Sequence, residues 1–346
     1  VVLCEVRYVE NLPHLRHIVH TARVRLDWIG ALLIAVALSA LQLVVEWVAH
    51  DGLTPRVVAL GVIGLASAFM LLKWERANAQ PMLPLDMFRN RSLAALFSLS
   101  VLGGFSMFSL LFYAPLLLQG GFGLSPRDAG LVVTPLVVFI TIGSIVNGRI
   151  VTRVRNPNTM LYVGFTLVAL ACSGTVLATR TMPHAVLMAF MMAGGLGLGF
   201  VLPNLTVFAQ QTAGREHLGI ATALLQSLRM IGGMIGTAFT GTLVTRMYEH
   251  GVRDALATHR ATAWIARFRD PQILVNIDAQ RALARELAVR GFDGAALIEA
   301  SREALVAAIH AGIAVAMVVA VFSIWQCRRV PRIKITRAAE PVPAAE

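Results

Sequence analysis

From Ala185 to Gly214 this chain carries no charged side chain. Coiled as a helix at 1.5 Å per residue, that run is about 45 Å long, more than the roughly 30 Å of hydrocarbon in a bilayer. Of the 346 residues, 57% are hydrophobic and only 14% charged, where a soluble domain carries nearer a quarter charged. A core of this size cannot hide so much apolar side chain from water. A membrane must therefore take up the excess.

In lipid every backbone N–H and C=O needs an internal partner, which leaves helices or a closed barrel. Continuous runs without alternation exclude the barrel. Eight segments are long and apolar enough to span as helices, near 28–48, 55–73, 93–118, 128–148, 159–179, 184–210, 219–246 and 305–326. The fold class expected is all-α integral membrane, with about eight transmembrane helices.

The net charge of +11 does not point to nucleic acid. The Lys and Arg sit in short clusters at the ends of apolar runs, without aromatic interleaving, which is topogenic charge rather than a DNA-binding stripe. With the N-terminus inside, the inner segments hold Arg7, Arg16, Arg23, Arg25, Lys73, Arg76, Arg89, Arg91, Arg149, Arg153, Arg155, Arg215, Arg328, Arg329, Arg332, Lys334 and Arg337. The short outer loops hold only Arg56, Arg127 and Arg180. Both termini are thus expected in the cytoplasm. The long outer segment 247–303 mixes Arg with Asp and Glu. Its stretch 272–290 reads as an amphipathic helix, with Ile273, Leu274, Ile277, Leu283 and Leu287 roughly on one face and Gly291 just past its end. It is expected to lie on the outer membrane surface or to cap the bundle. The tail 329–346 is rich in Pro, Ala and charge and reads as disordered.

No catalytic or metal constellation appears, and no cofactor is expected. Cys4, Cys172 and Cys327 are odd in number and far apart, so they give neither a disulfide framework nor metal spacing. The chain begins with Val rather than Met, and an upstream part is expected. Ser125-Pro126 opens a helix as N-cap and first turn. Gly194, Gly195, Gly197 and Gly199 lie in one span, and Gly232, Gly233, Gly236 and Gly241 in the next. Small residues let helices approach closely in lipid, either as static packing or as a sliding contact.

Pro203-Asn204 interrupts a span and frees a carbonyl. The pair is either a substrate contact or a kink satisfied by a neighbouring hydroxyl. Arg229 lies about 13 Å deep in its span, where a charge costs at least a few kcal/mol. It is either a substrate or coupling contact or a structural pair. Glu46 is the one carboxylate well inside an expected span. Asp27 and Asp86 fall at or outside the inner boundary, and His310 enters the last span as a core residue or a titrating one.

Four stretches, in order, resemble the EmrB/QacA type of multidrug exporter in the major facilitator superfamily. Pro84-Leu85-Asp86-Met87-Phe88-Arg89-Asn90-Arg91-Ser92 looks like the inner linker after the family's eighth span. Phe112-Tyr113-Ala114-Pro115-Leu116-Leu117-Leu118-Gln119, with Ser125-Pro126 and Ala129-Gly130 beyond it, resembles the ninth span and its outer turn. Gly148-Arg149 with Arg153 is similar to the second copy of the inner gating motif. Gln226-Ser227-Leu228-Arg229-Met230-Ile231-Gly232-Gly233 resembles the thirteenth span.

The resemblance implies the C-terminal portion of a fourteen-span drug:proton antiporter, without its first six spans. It divides the chain into an N-terminal cytoplasmic segment (1–27), two linker helices (28–75), a cytoplasmic linker (76–92), a six-helix bundle (93–328) and the tail. It implies proton-driven export of drugs or other amphipathic small molecules by alternating access. The site residues it implies are Arg229, Gln226, Asn204, Tyr113 and Gln119 along the pathway and Gly148, Arg149 and Arg153 at the gate. Gly195, Gly199, Pro203, Gly232 and Gly236 are the expected rocking contacts. The partners implied are the bilayer, the missing N-terminal six-helix half, a small amphipathic substrate and, in many members, a periplasmic adaptor. The alternatives are a non-transporting truncated membrane protein or partner subunit and, remotely, a membrane-embedded enzyme.

Overall fold

The structure, a computed structural model, describes residues 27–51, 54–77, 86–154, 156–214 and 217–330. The readings of the first 26 residues, of the linker 78–85 and of the tail beyond 330 lie outside the described residues. The helices are α1 (Trp28–Asp51), α2 (Pro55–Ala77), α3 (Asp86–Arg89), α4 (Arg91–Leu116), α5 (Pro126–Ile150), α6 (Thr159–Val176), α7 (His184–Ala213), α8 (Leu218–Thr258), α9 (Ile265–Phe268), α10 (Ile277–Val289) and α11 (Gly294–Gln326). Among the described residues seven helices are long and apolar enough to cross a membrane. The expected eighth, α1, has 24 residues, and its described apolar stretch, Trp28–Val44, is shorter than the others.

Side chains start the helices where the sequence places them. Asn90 accepts from the backbone N–H of Ser92 and Leu93 and opens α4. Ser125 accepts from Asp128 N–H at α5, with Pro126 in the first turn. Each such cap satisfies a donor that the first helical turn leaves orphaned. At its C-terminal end α4 widens into a π turn, Leu117–Gly121, after Pro115 has removed one backbone donor.

Six helices form one bundle. α5 packs on α7, α7 on α6, α6 on α11, α11 on α8, and α8 on α4, which also reaches α11 and α7. α1 and α2 pair as a hairpin, and α1 rests against α8. At the hairpin's open end the indole N–H of Trp74 donates to the Asp27 carboxylate at 2.9 Å. Further along, Ser67 donates to the Leu33 carbonyl at 2.9 Å.

The segment 247–303 differs from expectation. Spans expected at 219–246 and 305–326 continue outward, α8 to Thr258 and α11 back to Gly294. The reason is a four-residue repeat that sequence reading assigned to a loop. Tyr248, Val252 and Leu256 are buried on one face of α8, as are Leu297, Ser301 and Leu305 on α11. The amphipathic helix begins at Ile277 rather than 272, because the Asn276 side chain accepts from Asp278 and Ala279 N–H. Pro271–Leu274 is a separate 3₁₀ turn capped by Asp270. Leu274, Leu283 and Leu287 are buried as expected, whereas Ile277 is 49% exposed. This segment caps the bundle: Tyr248 donates to the Phe268 carbonyl at 2.8 Å, and Arg302 to Gln280 Oε1 at 2.8 Å.

Candidate functional site

Two helix crossings are built from bare backbone. At α4–α8, a Cβ on Gly104 would overlap the Arg229 carbonyl, and one on Gly232 would overlap the Val101 carbonyl. A Cβ on Gly236 would come within 2.7 Å of the Phe105 carbonyl oxygen. At α5–α7, Gly195 lies against the Leu136 carbonyl, and a Cβ on Gly199 would come within 2.5 Å of the Ile140 oxygen. Only glycine admits such approach. The expected packing glycines Gly195, Gly199, Gly232 and Gly236 all lie at these crossings. Gly104 and Gly143 supply the opposite sides, and sequence reading passed both over.

Arg229 follows from the same crossing. Its carbonyl lies against Gly104, so its side chain leaves along the next face of α8, half-buried. There the guanidinium donates to Gln226 Oε1, one turn back. Among the described residues Arg229 makes no ion pair. The two expected pathway residues are thus brought together, with Gln226 the more exposed.

Asn204 is placed elsewhere. It is 1% exposed, inside the α5–α7 contact. Its amide donates to Asn147 Oδ1 at 2.7 Å and to the Phe200 carbonyl at 2.8 Å. α7 runs unbroken through Pro203, and the Asn204 amide serves the neighbouring turn. Asn147, which sequence reading passed over, stands one residue before the expected gate. Gly148, Arg149 and Arg153 are exposed at the C-terminal end of α5 and the turn after it.

Tyr113 lines a cavity of about 850 Å³. Its walls come from α1 (Gln42), α4 (Tyr113, Leu116), α8 (Met234, Thr237, Ala238, Gly241, Val244, Thr245) and a strap over Ala266–Gln272. That volume suits a drug-sized molecule. The Tyr113 hydroxyl donates to the Thr237 carbonyl at 3.1 Å. A Cβ at Gly241 would come within 2.5 Å of that hydroxyl, so the glycine makes room for the ring. Over the cavity, Arg269 donates to Glu249 Oε1 at 2.8 Å. That hydrogen bond, with the carboxylate's charge, holds the guanidinium above its ordinary pKa. Gln119 is not in this wall; it sits half-buried in the π turn beside α11.

Of the carboxylates considered from sequence, the side chain of Glu46 lies outside what is described. Glu75, at the C-terminal end of α2, is 4% exposed. Sequence reading passed it over because it lies two residues beyond the apolar stretch. No group of three or more His, Cys, Asp or Glu that could hold a metal exists among the described residues.

Comparison with known proteins follows the same helices. Residues 24–237 match the family model described as Major Facilitator Superfamily. The Multidrug transporter protein MdtP of Bacillus subtilis (strain 168) is 29% identical over 203 residues, which is 58% of this chain and 36% of that protein. Multidrug resistance protein 3 of the same organism is 25% identical over 260 residues, 74% of this chain and 49% of that one. The Tetracenomycin C resistance and export protein of Streptomyces glaucescens is 33% identical over 180 residues, 52% of this chain and 33% of that protein. This chain therefore spans between about a third and a half of the length of these relatives. Among solved structures, a bacterial homolog to human lysosomal transporter Spinster, in its inward-facing and unoccupied conformation, superposes with a TM-score of 0.51. At 16% identity, over 87% of this chain and 64% of that one, the likeness is one of fold. With the family model covering more than half of its length, this multi-pass helical membrane chain belongs to the Major Facilitator Superfamily.

Proposed function

We propose that the chain is the C-terminal part of a fourteen-span, EmrB/QacA-type antiporter that exports drugs or other amphipathic small molecules in exchange for protons. On this reading α1 and α2 are the inserted central pair, and α4 to α8 with α11 are the C-terminal bundle. The resistance and export activities named for the relatives support this substrate class. The N-terminal bundle stands opposite, and substrate passes between the two by alternating access. The protein sits in a bacterial inner membrane with both termini in the cytoplasm, and an adaptor on the outer side is a possible partner of the cap.

The observation that carries the reading is Arg229. A guanidinium about 13 Å into a span costs at least a few kcal/mol to place there. Its one described side-chain partner is the neutral Gln226, so packing within this bundle does not account for its charge. A passing substrate or a carboxylate of the opposite bundle supplies what is missing. The glycine crossings support the motion: backbone resting on backbone slides more readily than interlocked side chains. Arg149 and Arg153 gate the inner side by pairing with acids or helix C-termini in one state and releasing them in the other.

The test is efflux from proteoliposomes containing the complete gene product, under an imposed pH gradient. Gradient-dependent movement of a fluorescent amphipathic drug supports the proposal. Its absence with every drug tested, in protein verified as folded, overturns it.

A further inference from the structure

Along the inner half of α11 the exposed side chains Val318, Val321, Phe322 and Trp325 follow the spacing i, i+3, i+4, i+7. They form one apolar ridge pointing away from the bundle. Phe322 and Trp325 lie with ring centroids 5.3 Å apart, and each is 47% exposed. Two exposed guanidiniums, Arg328 and Arg329, close the ridge. The Arg329 guanidinium lies 4.9 Å over the Trp325 ring. Among the described residues neither arginine has a carboxylate within ion-pair distance. Their turn, Cys327–Arg329, is pinned to the start of α6, where the Asn158 amide donates to the Val330 carbonyl at 3.1 Å.

We infer that this ridge and its two arginines form a binding site for one anionic phospholipid. The ridge takes an acyl chain along its length. Trp325 stands at the level where indoles meet headgroups. The paired guanidiniums receive the phosphate, with donors that fit its oxygens. The cation–π contact holds Arg329 in place before the lipid arrives, which lowers the ordering cost of binding. Basic clusters at cytoplasmic helix ends are suited to anionic headgroups. What distinguishes this one is that its charge is uncompensated among the described residues, anchored at the backbone and continuous with an apolar track. The site stands whether or not the chain transports.

The test uses the purified protein in phosphatidylcholine bilayers containing brominated phosphatidylglycerol or brominated phosphatidylcholine at equal mole fraction. Subtracting the fluorescence of the Trp325→Phe form isolates the signal of Trp325. The phosphatidylglycerol analogue should quench that signal at least twofold more strongly. The preference should fall to near unity in Arg328→Gln/Arg329→Gln and weaken in high salt, while inorganic phosphate leaves it unchanged. Equal quenching by the two lipids overturns the site, as does a preference that survives the double substitution. Loss of the preference on adding phosphate overturns the lipid as occupant. Should the double variant fail to insert, the salt series on the unaltered protein decides: a preference insensitive to salt overturns the site.

Discussion

Asn204 and Asn147 meet across the α5–α7 contact, amide to carbonyl oxygen at 2.7 Å, both almost wholly buried. Each is the other's reason for being there. Asn204→Leu strands the Asn147 oxygen in a dry interface, at a cost of about 1–3 kcal/mol. Replacing both with Leu should cost less than the single change. Thermal unfolding in detergent measures both. A double variant less stable than the single would show that the pair does not act as a unit.

The backbone crossing at Gly232 sets a second expectation. Gly232→Val drives a side chain into the Val101 carbonyl on α4, and overpacking of this kind costs about 1–3 kcal/mol or more. Gly130→Ala, on an exposed position of α5 with open space around it, should be neutral or gain up to about 1 kcal/mol from helix propensity. Detergent melting temperatures should move in opposite directions for the two variants, or stay level for the second.

Arg229→Gln leaves a shorter polar side chain near Gln226 and removes the charge. Efflux in proteoliposomes should fall at least tenfold, while the melting temperature stays within a few degrees of the unaltered protein. Equal losses of efflux and stability would return Arg229 to a structural role. Arg229→Lys, which keeps the charge but lacks the guanidinium fork, should retain part of the efflux.

Tyr248→Phe removes the hydroxyl that holds the strap through the Phe268 carbonyl. A neutral buried hydrogen bond contributes about 0.5–1.5 kcal/mol, enough to raise the population of an open strap several-fold. Trypsin added from the outside should then cut after Arg260, Arg267 or Arg269 sooner than in the unaltered protein. Peptide mapping over time measures the difference.

The spans were legible in the sequence because lipid imposes one simple condition, and runs such as Ala185–Gly214 meet it without ambiguity. The outer ends of α8 and α11 were not legible. There Tyr248, Val252 and Leu256 keep the helical repeat, but charged residues between them mask it. Of the site residues, Gln226 and Arg229 stand one turn apart, a spacing at which helix neighbours meet, though sequence reading left the partner of Arg229 open. Asn204 did not announce Asn147, which is 57 positions distant, and nothing in one sequence pairs two such asparagines. Gly104 and Gly143 were hidden for the same reason: a close approach belongs to two helices, and a sequence shows one at a time.

α8 is a single rod of 41 residues, about 60 Å from end to end. It rests on α4 at Gly232, leaving roughly 21 Å of rod on the inner side and roughly 39 Å on the outer side. A rod balanced there is an unequal lever. Any tilt that shifts its inner tip carries the outer tip nearly twice as far in the opposite sense. Small changes of charge or contact around Arg229, close to the fulcrum, are therefore magnified toward Thr258, beyond Tyr248, where α8 ends and the chain leads into the strap.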